Sequence, residues 1–166
     1  MNTSNSNHLF YNSQHGFRNL HSTETATLEF LDRIYKDLDS GETPISVFLD
    51  LSKAFDTLNH EILLHKLNYY GIEGTPLNWF KSYLSNRTQY VQFDNVSSNP
   101  LTISTGVPQG SILGPLLFII YMNDMHSVSN NFDSIHYADD TSLIKSISSF
   151  KCHLYIISST ILMSRM

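Results

Sequence analysis

The chain has 166 residues, 41% hydrophobic and 15% charged, which suits one domain with a real core and excludes a disordered class. A formal net charge of −5 runs against the basic face that nucleic-acid binding favours. The single cysteine, Cys152, excludes an internal disulfide or a cysteine-based zinc site, and the longest apolar run, Ile112 to Met122, is too short to span a bilayer and holds Gly114 and Pro115.

Residues 1–13 read as a flexible lead, polar at the start and without a signal-peptide core. A helix fits Thr23 to Leu38, capped by Ser22 or Thr23, with Phe30, Leu31, Ile34, Tyr35 and Leu38 as its apolar stripe and Gly41 as its stop. Pro44 resets the chain, and Ile45 to Asp50 reads as a buried strand ending on a carboxylate. Ile62, Leu63, Leu67 and Tyr70 mark a second helix closed by Gly71. Thr75-Pro76 reads as a cap and first turn of a third, which carries Trp79, Phe80, Tyr83 and Leu84. Gln89 to Asp94 alternates as a strand, Asn95 to Pro100 is a turn, and Leu101 to Thr105 returns. The loop Gly106-Val-Pro-Gln-Gly110 leads into an apolar helix from Ile112 to Asn123, with Ser111 as a candidate cap. Ser134 to Ile144 then reads as a β-hairpin with Asp139 and Asp140 at its tip. The stretch from Cys152 to Met166 has no acid and little helical period, and reads equally as a buried strand or an irregular tail. This order predicts an α+β fold, an antiparallel sheet with helices packed on one face.

Two adjacent carboxylates repel unless a cation is shared between them. A strand that is apolar for five residues and ends at Asp50 pushes that acid out at the sheet edge. Beside the hairpin, Asp50, Asp139 and Asp140 would converge, a setting that favours magnesium, which takes one or two carboxylates and completes its shell with water and phosphate oxygens. A strand end and a polar turn explain the same acids without a metal. Leu51, Ser52, Lys53, Ala54 and Phe55 are expected to form a sharp turn whose backbone N–H groups could face a polyphosphate. Phe55 would lie near a nucleotide sugar or serve as an ordinary core aromatic, and Asp56 is expected to cap the next helix. Gln109 and Gly110 lie in a loop whose main chain can approach a ligand closely, although a plain connector explains its glycine and serine as well. Tyr83, Arg87 and Tyr90 could meet nucleic acid, though aromatics on a helix are more often core; the eight scattered histidines read as non-catalytic.

Four stretches, in order, resemble the reverse-transcriptase domain of non-LTR (LINE-type) retrotransposons: Gln14-His-Gly-Phe-Arg18 with Ser22-Thr23, Phe48-Leu-Asp-Leu-Ser-Lys-Ala-Phe-Asp56, Gly106-Val-Pro-Gln-Gly-Ser-Ile-Leu-Gly-Pro115 and Tyr137-Ala-Asp-Asp140. The resemblance covers residues 14–150 and implies a polymerase palm with part of the fingers, followed by an atypical tail at residues 151–166. It implies that Asp50, Asp139 and Asp140 are catalytic and hold two Mg2+ ions, with Mn2+ as an alternative. Leu51, Lys53, Ala54, Phe55, Gln109 and Gly110 would bind the nucleotide, with Phe55 as the steric gate against ribose. Tyr137 would lie beside the primer end, and Arg18 would support the template from the fingers side. The implied partners are an RNA template, a DNA primer and dNTPs, with no membrane, in an intracellular, nuclear location. The family's earlier fingers segment and later primer grip and thumb are not found in these residues, and the basic surfaces expected there account for the acidic balance. The composition change at Cys152 is expected to mark a shifted frame or gene end. The alternatives are a catalytically inactive retroelement fragment and a domesticated nucleic-acid-binding or structural palm domain.

Overall fold

The computed structural model describes residues 9–128, 131–148 and 156–162. The chain forms two compact units, one from Met1–Lys53 with Met122–Met166 and one from Ala54–Tyr121. Both helices and sheets are present, as expected of an α+β chain.

The first unit opens its regular structure with α1, Thr23–Asp39. Ser22 caps it in a reciprocal box: the Ser22 hydroxyl accepts from the Thr25 N–H, and the Thr25 hydroxyl accepts from the Ser22 N–H. Its apolar stripe is only partly covered. Phe30 meets Phe48 at 5.5 Å between ring centroids, whereas Leu31, Tyr35 and Leu38 are exposed. The helix touches β1 and β6 along one edge, too narrow a contact to bury the whole stripe.

The sheet has the order β6-β7-β1-β8, with β1 Thr43–Ser52, β6 Asp133–Tyr137, β7 Asp140–Ile147 and β8 Ile156–Leu162. β1 is antiparallel to β7, from Thr43 opposite Ile147 to Leu49 opposite Thr141. It is parallel to β8, from Ser46 opposite Ile156 to Ser52 opposite Leu162. The sheet is therefore mixed rather than wholly antiparallel, because β7 and β8 run in opposite directions on the two sides of β1. Pro44 lies inside β1 and is buried. It is tolerated because the pairing with β8 begins only at Ser46, so no β8 partner needs the missing N–H. The residues from Cys152 to Tyr155 and from Met163 onward lie outside the described residues, while Ile156–Leu162 is a strand.

The second unit begins with a 3-10 turn, Ala54–Asp56, followed by α2, His60–Tyr69, and α3, Gly74–Leu84, which pack together. Asn59, not Asp56, caps α2: its side chain accepts from the N–H groups of Glu61 and Ile62. The 3-10 turn places Asp56 too early in the chain to reach those groups. α3 starts one step before the expected cap, with Glu73 at the cap position and no side-chain bond there, so Thr75 and Pro76 fall within the first turn. Proline is tolerated there because the first N–H groups of a helix have no intrahelical partner.

The stretch expected as one hairpin is two nested pairs. β2, Arg87–Gln89, pairs with β5, Leu101–Ile103, and β3, Gln92–Phe93, pairs with β4, Val96–Ser97. The turn is Asp94-Asn95, where Asp94 takes a φ of 53°. Val96 and Ser97, expected in the turn, are paired instead. α4, Leu113–Met122, is apolar around its whole circumference, which fits its burial: Leu117 to Tyr121 are each at most 6% exposed. Ala54, Leu58, Leu63, Leu67, Leu84 and Val107 are further buried core positions of this unit.

Candidate active site

The hairpin strands β6 and β7 pair down to Tyr137 opposite Asp140, leaving Ala138 and Asp139 as a two-residue turn. On the other side of β7, the last paired position is Leu49 opposite Thr141. One further step along that register sets Asp50 across from Asp140. Asp50 and Asp140 are exposed, and Asp139 is half-buried. Burial holds the Asp140 carboxyl above the usual carboxylate range, and the charges of Asp139 and then Asp50 add to the effect. Asp140 therefore feels both other acids at the step where the hairpin stops and β1 carries on to Ser52 beside β8. Asp50, expected to end its strand, does not, because β8 prolongs the pairing past it to Ser52. Among the described residues no three His, Cys, Asp or Glu side chains close on one point as a ready metal cage. The acids share a corner but do not converge as fully as expected.

Ala138 has a φ of 56°, left-handed backbone in a residue with a Cβ. Such a conformation costs roughly 1–3 kcal/mol and needs its surroundings to hold it. The segment Ser13–Gly16 lies against this turn. Its backbone forms a parallel bridge to β6: the His136 N–H donates to the Ser13 carbonyl at 2.8 Å, and the His15 N–H donates to the His136 carbonyl at 2.7 Å. Gln14, 5% exposed, accepts at Oε1 from the N–H groups of Gly16 at 2.8 Å and Ala138 at 3.1 Å. The segment is tied back to α1. Glu29 accepts from the Ser13 hydroxyl and meets the His15 ring at 2.8 Å, and the other His15 ring nitrogen meets Thr25. Burial pushes the Glu29 carboxyl up, but the hydrogen bonds from Ser13 and His15 and the nearby charges of His15 and Arg33 outweigh it and hold the group below its usual range.

Arg18, expected to face a template, instead donates from Nη1 to the carbonyls of Tyr11, Asn12 and Gln14 and lies over the Phe10 ring. It braces the segment that carries Gln14. Tyr137 is half-buried at the end of β6, beside the turn.

The residues expected around a nucleotide fall at four kinds of position. Leu51 is not in the turn: it is 3% exposed inside β1, opposite Ile161, because β8 extends the strand. The turn itself is Lys53, exposed with a φ of 53°, followed by buried Ala54. Within the second unit, Phe55 stacks on Phe118 at 4.3 Å, so it takes the core contact weighed above while remaining half-exposed. The exposed loop with Gln109 and Gly110 is stitched to the Phe55–Leu58 segment. The Gly106 N–H donates to the Leu58 carbonyl, the Val107 N–H to the Phe55 carbonyl, and the Thr105 hydroxyl to the Asp56 carbonyl. Gln109 Nε2 donates to Asp56 Oδ1 at 3.0 Å, which is the place the structure gives Asp56. A Cβ on Gly106 would come within 2.7 Å of the Asp56 backbone, so only glycine allows this closeness. Tyr83 stacks on Trp79 and lies under the Arg87 guanidinium, and Tyr90 is exposed.

Comparison with known proteins adds a second line of observation. The sequence matches the family described as reverse transcriptase (RNA-dependent DNA polymerase) over residues 2–166, wider than the span of its four motifs. It is 36% identical over 118 residues to the probable RNA-directed DNA polymerase from transposon BS of Drosophila melanogaster, covering 68% of this chain and 12% of that protein. It is 38% identical over 115 residues to the probable RNA-directed DNA polymerase from transposon X-element of the same species, again 68% of this chain and 12% of the relative. With the RNA-directed DNA polymerase from the Drosophila melanogaster mobile element jockey it shares 33% identity over 138 residues, 79% of this chain and 15% of the relative. The chain thus spans well under a fifth of the length of these curated relatives.

Proposed function

This chain belongs to the reverse transcriptase (RNA-dependent DNA polymerase) family, akin to the polymerases of non-LTR retrotransposons, and on that premise we propose that its carboxylate corner is the nucleotidyl-transfer centre of a polymerase palm. The observation that carries the reading is the β1–β7 register, which ends at Leu49 opposite Thr141, one step short of Asp50 and Asp140, with Asp140 held above its usual range by burial and by the charges of Asp139 and Asp50. Such mutual repulsion is relieved by divalent cations, and hard carboxylate oxygens are the donors that magnesium prefers. No closed cage is needed, because magnesium keeps water and substrate oxygens in its shell.

In this reading Asp50, Asp139 and Asp140 hold two Mg2+ ions, with Mn2+ as a substitute. Ions bound there would supply the positive charge that readies a primer 3′-OH and steadies the departing pyrophosphate. The chain's own part is placement. The β7–β1 register spaces the acids, and the Lys53-Ala54 turn offers backbone to the phosphates. Within the second unit Phe55 rests on Phe118, and the family resemblance assigns it the exclusion of a ribose 2′-OH. In the same unit Gln109 is held by Asp56, and the family resemblance assigns Gln109 and Gly110 to the incoming nucleotide; within the first unit it assigns Tyr137 to the primer end. The template is RNA, the primer DNA and the substrates dNTPs; the intracellular, nuclear location is proposed from the family alone. No helix among the described residues is long and apolar enough to cross a membrane.

The test is primer extension by the full chain on poly(rA)·oligo(dT) with MgCl2. Incorporation of dTTP that Asp139→Asn lowers by at least a hundredfold is the expected result. No extension by the wild type, or equal extension by the variant, overturns the reading for this chain.

A further inference from the structure

We infer that Gln14 is a positioning residue for the carboxylate corner: its side-chain amide brackets the backbone of Ala138 and fixes where Asp139 and Asp140 project. The catalytic meaning of this rests on the reading of the corner as the nucleotidyl-transfer centre, while its geometry stands on the hydrogen bonds alone.

Three observations meet at Ala138. Its N–H donates to Gln14 Oε1 at 3.1 Å, and its carbonyl receives Gln14 Nε2 at 3.5 Å. The amide orientation is dictated by chemistry, because Oε1 faces two N–H donors, those of Gly16 and Ala138, and only the oxygen can accept them. The second observation is closeness. A Cβ on Gly16 would stand 2.1 Å from the Ala138 nitrogen and 2.7 Å from its Cα, so the segment can approach the turn only with glycine at that position. The third is the conformation being held. Ala138 sits at a φ of 56° immediately before Asp139, in a turn whose next two residues repel each other and Asp50.

A turn under both strains relaxes unless something outside the hairpin fastens it. Gln14 supplies that fastening from 124 residues away and brings no charge with it. A lysine or arginine there would neutralise the acids and compete with a metal; a neutral amide holds the backbone and leaves the carboxylate field intact. The clasp is itself braced, since Arg18 holds the Tyr11, Asn12 and Gln14 carbonyls and the Glu29–His15–Ser13 contacts tie the segment to α1.

The test uses the full chain and three variants. Gln14→Met keeps the volume and removes the bonds. Gln14→Glu keeps an acceptor for both N–H groups, and Gly16→Ala pushes the segment off the turn. Amide hydrogen exchange is read residue by residue by NMR, and Mg2+ affinity by titration with MgCl2. We expect exchange at Ala138 to quicken at least tenfold in Gln14→Met and Gly16→Ala, with the β1–β7 amides still protected, and Mg2+ affinity to fall at least fivefold. Gln14→Glu should retain most of the Ala138 protection, and it keeps the test open if Gln14→Met fails to fold. In extension assays the Gln14→Met loss should appear in kcat, with the KM for dTTP within threefold of wild type. Unchanged Ala138 exchange overturns the inference, as does faster exchange with unchanged Mg2+ affinity where the wild type binds Mg2+. A wild type that binds no Mg2+, with Ala138 still loosened by Gln14→Met, overturns the metal reading of the corner and upholds the clasp.

Discussion

Asp140 shows what the acid corner asks of the fold. Its folded pKa lies above its unfolded value, first through burial and then through Asp139 and Asp50. Ionising it therefore works against folding at neutral pH, and a bound divalent cation reverses the sign. Removing the charge should act in two opposite ways. In EDTA, Asp140→Asn is expected to melt at a higher temperature than the wild type, because one of three repelling charges is gone. With MgCl2 added, the wild type should gain several degrees, and the variant should gain clearly less. Thermal melts with and without MgCl2 check both halves. A variant that melts lower in EDTA would show that Asp140 makes a favourable contact outweighing the repulsion. Asp140 was legible in the sequence as an acid at a hairpin tip, because the β-formers on both sides of the pair leave few other folds. The clasp by Gln14 was not legible as a physical contact, since a hydrogen bond between partners 124 residues apart leaves no local pattern.

Elements show the same division between local and distant causes. α1 was readable because its cap, Ser22, and its apolar stripe from Phe30 to Leu38 lie in one continuous stretch of chain. The length of β1 was not, because the strand runs on to Ser52 only through pairing with β8, and the run Ile156–Leu162 does not name its partner. The missed prolongation moved Leu51 from the turn into the sheet and left Lys53 as the pivot. The start of α2 is a sharper case, because Asp56 and Asn59 are both good capping types. The 3-10 turn decides between them: Asn59 accepts from Glu61 and Ile62, while Asp56 receives Gln109. Asn59→Ala should therefore cost about 1 kcal/mol in denaturant unfolding. Asp56→Ala should leave the start of α2 unchanged, since it removes none of its caps. Its effect should fall on Gln109, freed from its Asp56 anchor and seen as sharper, averaged side-chain amide signals in NMR. Equal loss of α2 stability in both variants would restore Asp56 to the capping role.

For the molecule as a whole, acidity acts most strongly through a histidine in the first unit. His136 is 5% exposed on β6, with its ring nitrogens against Thr141 and Ser134 and its ring edge-on to Tyr11. Burial, with a smaller push from the charge of His126 across Tyr11, lowers its pKa from 6.5 to about 4. Between those two values the unfolded chain takes up a proton that the folded chain refuses, so stability falls as the pH drops through that window. Glu29 pulls the same way, because its folded pKa is lowered and its contribution is lost as the pH falls through that value. Asp140 opposes both, since its raised pKa favours the fold on acidification. The first two should prevail, because the His136 shift is large and Asp140 is exposed to solvent. Metal-free melting temperatures are thus expected to hold from pH 8 to about 6.5 and then fall steadily toward pH 4.5. His136→Gln keeps a side chain able to bond Thr141 or Ser134 but cannot take the proton. It should flatten that fall, whatever it does to stability at pH 8. A slope as steep in the variant as in the wild type would move the acid sensitivity to Glu29, and Glu29→Gln should then flatten it instead.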